Sequence, residues 1–243
     1  MSGSFSLFRT ILFVAALAGI GTGVVASAIH IFGTVPLILQ AETFEGAAPE
    51  AEEAPAHEHA PGTAAHEHSH DADEWGPADG FERNGYTVLS MILTGFGFGL
   101  LLVAVSEIAG GISSWREGIL WGLAGFAVFT LAPGLGLPPE LPAMPAADLM
   151  ARQVWWIGTA LATAGGLALL AFGRSPLLAI LGVALIVAPQ IIGAPQPDSF
   201  ESPIPEALHH SFVVATIVAS LIFWVLLGGL AGWLRPRVAA KAT

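Results

Sequence analysis

Six apolar runs separated by polar or proline-rich breaks set the pattern of the chain. They cover approximately residues 11–35, 86–108, 117–137, 153–173, 176–193 and 209–234. Each approaches the ~20 residues that a helix needs to cross a bilayer. Inside a membrane every backbone N–H and C=O must be bonded within its own segment, so all six read as helices. The fifth run is short and is interrupted by Pro189, which leaves five crossings as the alternative. The expected fold is an all-α integral membrane protein of about six transmembrane helices (five possible) in three hairpins. It forms one membrane domain over residues 1–243, with residues 41–85 as a long external connection.

The first run has a second reading. Arg9 precedes it and Ala26-Ser27-Ala28 resembles a signal-peptide cleavage site. The apolar character continues to Leu39, longer than a typical signal core, which favours a retained helix. Gly19-x3-Gly23, Gly95-x3-Gly99, Gly118-x3-Gly122 and Gly228-x3-Gly232 predict close helix–helix contacts. The odd runs each follow an arginine and each end in a glycine–proline break, at Gly33…Pro36, Gly136…Pro138 and Gly193…Pro195. A parallel internal repeat would make His30, Pro133 and Gln190 equivalent positions, although helix ends attract glycine and proline in any case.

Composition sharpens the membrane reading. Of the 243 residues, 54% are hydrophobic and 11% charged, against roughly 25% charged in a soluble domain. The net charge of −11 does not point to a basic partner, because twelve of the nineteen acids lie within residues 41–85. Lys and Arg favour the cytoplasmic side. A cytoplasmic N-terminus places Arg9, Arg116, Arg174, Arg235, Arg237 and Lys241 inside, with Arg83 and Arg152 outside. It also puts every acid except Glu107 and Glu117 outside, so the connection 41–85 faces the periplasm or exterior of a bacterial inner membrane. Trp75, Trp155 and Trp156 then fall at the outer interface, Trp115 and Trp233 at the inner one.

That external connection holds the candidate chemistry. The stretch from His57 to Trp75 contains five of the eight histidines, His57, His59, His66, His68 and His70, with Glu58, Glu67, Asp71, Asp73 and Glu74 among them. Neutral imidazoles beside carboxylates suit Co, Ni, Zn or Cu(II) better than Ca or Mg. Alternating His-x-His spacing lets several rings of an extended segment face one way. A solvated acidic loop is the plainer reading, but so dense a histidine bias favours metal contact. With no cysteine, thiolate sites and disulfides are excluded.

Ionisable groups inside a bilayer mark pathways by default. His30 lies in the outer half of the first run; Glu206, His209 and His210 open the last, and Gln190 follows the Pro189 kink. These could line an outer vestibule that receives a divalent cation from the loop; headgroup contacts are the alternative for His209 and His210. The proline-rich segments 138–150 and 194–208 could cap it. Asp148 and Arg152, four apart, could pair. Glu107 and Glu117 read as solvated or helix-dipole charges. No phosphate loop, nucleophile triad or nucleic-acid patch is visible, which argues against an enzyme or a nucleic-acid partner.

Several stretches together resemble CbtA, a family of predicted cobalt transporter subunits. They are FRTILFVAALAG at the start, Val35 to Thr43, the His-Glu-His loop running into Asp71-Ala72-Asp73-Glu74-Trp75, LWGLAGFAVFTLAPGLGLPPELP, Ala151-Arg152-Gln153-x-Trp155-Trp156, Gly193 to Pro197, and LLGGLAGWL near the end. The resemblance covers nearly the whole chain. It implies uptake of Co²⁺, often linked to cobalamin synthesis, beside a small one-helix membrane subunit, CbtB, that carries its own histidines. The expected function is a non-enzymatic membrane subunit for Co²⁺ import. Ni²⁺ or Zn²⁺ transport, a non-transporting metal-binding accessory role and homo-oligomer formation stay open, since ligand chemistry does not separate these ions.

Overall fold

The computed structural model describes residues 2–45 and 77–240. All six apolar runs are helical. The helices are α1 (Ser2–Gly33), α2 (Val35–Glu42), α3 (Phe81–Ile108), α4 (Trp115–Phe126), α5 (Ala132–Gly136), α6 (Leu149–Phe172), α7 (Pro176–Ile192) and α8 (Glu206–Ala240). A π turn, Ala127–Leu131, joins α4 to α5 into one span, Trp115–Gly136. Among the described residues, five helices are long and apolar enough to cross a membrane, and α7 is a shorter apolar helix of 17 residues. At about 1.5 Å per residue, α7 rises roughly 26 Å, just under a hydrocarbon core of about 30 Å. Large apolar side chains such as Leu120, Leu161 and Leu177 point outward, which suits lipid rather than water.

Local chemistry explains where the helices begin and break. Ser114, Asp148 and Ser175 each accept a bond from the amide three residues on, at the starts of α4, α6 and α7. Gly110 and Gly111, at φ 102° and 79°, make the turn from α3 to α4 that a side chain would strain. The first apolar run is not one helix. It breaks at Gly33-Thr34 and resumes as α2, with Pro36 in the first turn where its missing N–H does no harm. The π turn stands immediately before Pro133, which brings no N–H to the ladder.

Two groups of helices result. Helices α1, α3, α4 and α8 form a bundle, and α6 and α7 form an antiparallel hairpin beside the π turn and α5. The pairing differs in part from three successive hairpins. The first two spans pack together, but the third packs chiefly on the last and the fourth on the fifth. Backbone approach decides this. Gly19 and Gly23 meet α3 at Gly95 and Ile92, Gly118 and Gly122 meet α8 at Gly228, and Gly166 meets Gly182 of α7. A Cβ on Gly19 would sit 2.6 Å from the Gly95 backbone, so only glycine permits that contact.

The bundle interior is apolar and aromatic. Val14, Val103, Ile112 and Leu227 are fully buried. Phe129 of the π turn stacks on Trp224 at 5.6 Å, and Phe98 lies 4.8 Å from the same indole. At the end of the bundle where α1 begins and α8 ends, Arg235 makes a two-pronged ion pair with Glu107, at 2.8 and 2.9 Å. The opposite end carries α2 and the connections before α6 and α8. There Ala41, Leu141, Ile204, Leu208 and Phe212 form a second small core.

Candidate metal-handling site

His57, His59, His66, His68, His70, Asp71, Asp73 and Glu74 lie outside the described residues. The points where their connection leaves and rejoins the bundle are described, and they are tied together. Arg83 at the start of α3 donates to both carboxylate oxygens of Glu42 at the end of α2, at 2.7 and 3.3 Å. Asp79 stands 2.9 Å from the same guanidinium. A planar guanidinium gripped on two edges fixes direction as well as distance. The described flanks of the histidine-bearing segment are therefore held together at the end of the bundle that carries the second core.

His30 is half-buried near the end of α1. Its Nδ1 lies 2.8 Å from the Thr34 hydroxyl, which in turn donates to the His30 carbonyl at 3.2 Å. With the single hydroxyl hydrogen spent on that carbonyl, Nδ1 must be the donor. A neutral His30 then keeps an unprotonated Nε2, the atom a metal would take. His209 sits at the start of α8 with Nε2 3.1 Å from the Pro139 carbonyl. A carbonyl only accepts, so Nε2 holds the proton and Nδ1 the free lone pair. His210 and Glu206 are exposed beside it; Glu206 is in the first turn of α8, where a negative charge suits the helix dipole.

These groups stand at two levels. Gly21 of α1 faces Leu230 of α8. Counting outward from that contact, His30 falls about 16 Å of helix rise short of His210. Among the described residues, no three His, Asp or Glu side chains converge closely enough to hold an ion. Gln190 is committed to packing: its carboxamide N–H donates to the Ala132 carbonyl at 2.8 Å, joining α7 to α5.

Two charge assignments change with the structure. Arg152 pairs with Glu140 at 2.9 Å, not with Asp148. Asp148 instead caps α6, its carboxylate accepting the Ala151 N–H at 2.8 Å. Glu107 is not solvated but is held by Arg235, its side chain 12% exposed. Glu117 does behave as a helix-start charge, accepting from the backbone N–H and hydroxyl of Ser113 at 2.8 and 2.6 Å. Sequence reasoning passes over Glu140 as a partner, and the only available sign is an arginine placed among acids at this end.

Over residues 8–235 the chain matches the family described as "Probable cobalt transporter subunit (CbtA)". The chain belongs to the CbtA family. Comparison with curated proteins and comparison with solved structures each gave no match. The CbtA match runs from α1 almost to the end of α8, so it takes in the bundle, the hairpin and the histidine-bearing connection. This is a multi-pass membrane protein of a cobalt transporter family, and its helices, ion-paired flanks and histidines are to be read in that setting.

Proposed function

We propose that the segment His57–Glu74 gathers Co²⁺ outside a bacterial inner membrane and hands it to the outer face of the helix bundle for import. The match to a cobalt transporter family across residues 8–235 carries this reading, because that span includes the imidazole- and carboxylate-rich segment. His57, His59, His66, His68 and His70, with Asp71, Asp73 and Glu74, offer a shifting set of nitrogen and oxygen ligands. Many weak ligands raise the local concentration of the ion and still let it go, which a conduction pathway requires. The Glu42–Arg83 pair ties together the two described flanks of this segment at the bundle end. His30, Glu206, His209 and His210 receive the ion in an outer vestibule, and the chain works beside a small membrane subunit that bears histidines.

The orientation follows from charge. Both termini are cytoplasmic, with Arg9, Arg116, Arg174, Arg235 and Arg237 on that side. The two arginines at the other end, Arg83 and Arg152, are each neutralised by a carboxylate partner. Deleting residues 57–70 tests the capture step: cobalt uptake by cells at limiting cobalt should fall severalfold and recover when cobalt is abundant. Unchanged uptake at limiting cobalt would remove the segment from the mechanism. A second reading, an accessory protein that does not itself conduct, is favoured by the family's description as a subunit. It would show as cobalt movement in the same assay only when the partner is present and as normal metal binding without it.

A further inference from the structure

Three buried polar groups lie one above another on α6 with nothing to bond. Thr159 and Thr163 are 1% and 2% exposed, and neither hydroxyl has a hydrogen-bond partner; the indole N–H of Trp155 is equally enclosed and equally unbonded. Spaced four residues apart, they share one face of the helix over about 12 Å of rise. Both ends of that face are fixed. The Trp155 ring packs against Gly136 of α5, which Ala194 just after α7 approaches as well, while Gly166, three residues past Thr163, touches Gly182 and Ile186 of α7. The stripe is thus enclosed between α6, α7 and α5. Pro189 of α7, buried itself, withholds an N–H from the carbonyl of Leu185 on the same hairpin. An unmet polar group within a membrane is costly, and two hydroxyls and an indole N–H in a row are best met by water.

An open cavity of about 650 Å³ lies over Trp155, with Asp148, Gly193 and Ala194 among its walls. It places a carboxylate at the mouth of the stripe, at the same end of the molecule as the histidine-bearing connection. A second cavity, of about 630 Å³, lies between α6, the π turn, α5 and α8, with Phe129, Trp156, Ile217 and the Glu140–Arg152 pair among its walls; further into the bundle Phe98, Phe129 and Trp224 pack on one another.

We propose that this buried polar face of the α6–α7 hairpin, reached from the cavity above Trp155, opens as the hydrated path by which a divalent cation leaves the external solvent. Asp148 attracts the ion, Trp155 plugs the opening, and the hydroxyls of Thr159 and Thr163 take up the water that travels with it. The path closes at the Gly166–Gly182 contact, where the two backbones touch, so passage requires α6 and α7 to part there. The identity of the ion rests on the cobalt-transport reading; the presence of water does not.

The chain has no cysteine, so single cysteines report cleanly. Thr159→Cys and Thr163→Cys in the full chain, in membrane vesicles, are treated with the cationic thiol reagent MTSET. Ser27→Cys, from a buried position of α1 whose hydroxyl is already bonded to the Gly23 carbonyl, is the comparison. The expected result is modification about tenfold faster at 159 and 163, since a thiol reacts only where solvent reaches it. Added Co²⁺ should slow that modification, and modification should block cobalt uptake. Rates no greater than at Ser27→Cys in either vesicle orientation, or modification that leaves uptake intact, would overturn the proposal. Hydroxyl-radical footprinting of the unsubstituted protein guards against misfolded variants: Trp155 should oxidise well ahead of the buried Trp224, and equal protection of both would also overturn it. Uptake absent from the unmodified protein, with Co²⁺ still protecting the cysteines, would defeat the import reading while supporting a cation path here.

Discussion

At the scale of single residues, the strongest polar contacts join positions remote in sequence. Glu107 and Arg235 are 128 residues apart, and Glu42 and Arg83 are 41 apart. Spacing rules see only neighbours three or four apart, so they leave Glu107 as a solvated charge and match Arg152 to the wrong acid. The same rules read Glu117 correctly, because its partner Ser113 is one turn away. The Glu107–Arg235 pair closes the end of the bundle where α3 turns into α4, beside the fully buried Ile112. Glu107→Gln leaves the guanidinium half-satisfied in a poorly hydrated place. We expect a loss of about 1–3 kcal/mol, allowing for the partial exposure of both groups. Thermal melting of the purified protein in detergent should show it, and the exchanged pair Glu107→Arg with Arg235→Glu should recover part of the loss. A melting temperature unmoved by Glu107→Gln would mean the pair is ornamental.

Among the helices, small-residue spacing was legible and pairing was not. Each of the four glycine motifs visible in the sequence does meet another helix, yet nothing in the spacing says that Gly118 and Gly122 belong with Gly228 and Gly232 rather than with the next span along. The π turn before Pro133 was likewise hidden, because apolar periodicity runs straight through it, whereas the glycine–proline pair at Gly33…Pro36 did mark the break between α1 and α2. Proline placed the irregularity but not its form. The packing yields a position-specific forecast on adjacent glycines of α8. Gly228 faces the backbone of Gly118 and Gly122, whereas a methyl on Gly229 would meet the Ile119 side chain at an ordinary 3.6 Å. Gly228→Ala should cost about 1–3 kcal/mol through overpacking, and Gly229→Ala should cost little. The two variants compared by melting temperature and by protein level in membranes decide this. Equal effects would mean the α4–α8 contact is looser than the glycine pairing implies.

Across the whole molecule, charge and ligands are sorted to opposite ends. The end where α1 begins and α8 finishes gathers the arginines, two of them over tryptophans, as Arg116 lies over Trp115 and Arg237 over Trp233. The other end carries the Glu42–Arg83 and Glu140–Arg152 pairs, His209 and His210, and the open cavity above Trp155. The all-α membrane character was legible because composition alone forces it. The ligand geometry was not, because a histidine bias states which atoms are available and not where they point. It does state how binding must respond to acid. An imidazole binds metal through the lone pair that a proton would occupy, and free histidine titrates near pH 6.5. Carboxylates keep their charge well below that. If the imidazoles do the work, Co²⁺ binding to the intact protein should be full at neutral pH and fall steeply below about pH 6, with protons released on binding. Replacing His57, His59, His66, His68 and His70 with Gln should flatten that dependence while leaving Asp71, Asp73 and Glu74 in place. Titration calorimetry in buffers of different ionisation enthalpy measures affinity and proton release together. Binding that holds down to about pH 5 with no protons released would assign capture to the carboxylates and leave the histidines without a role in it.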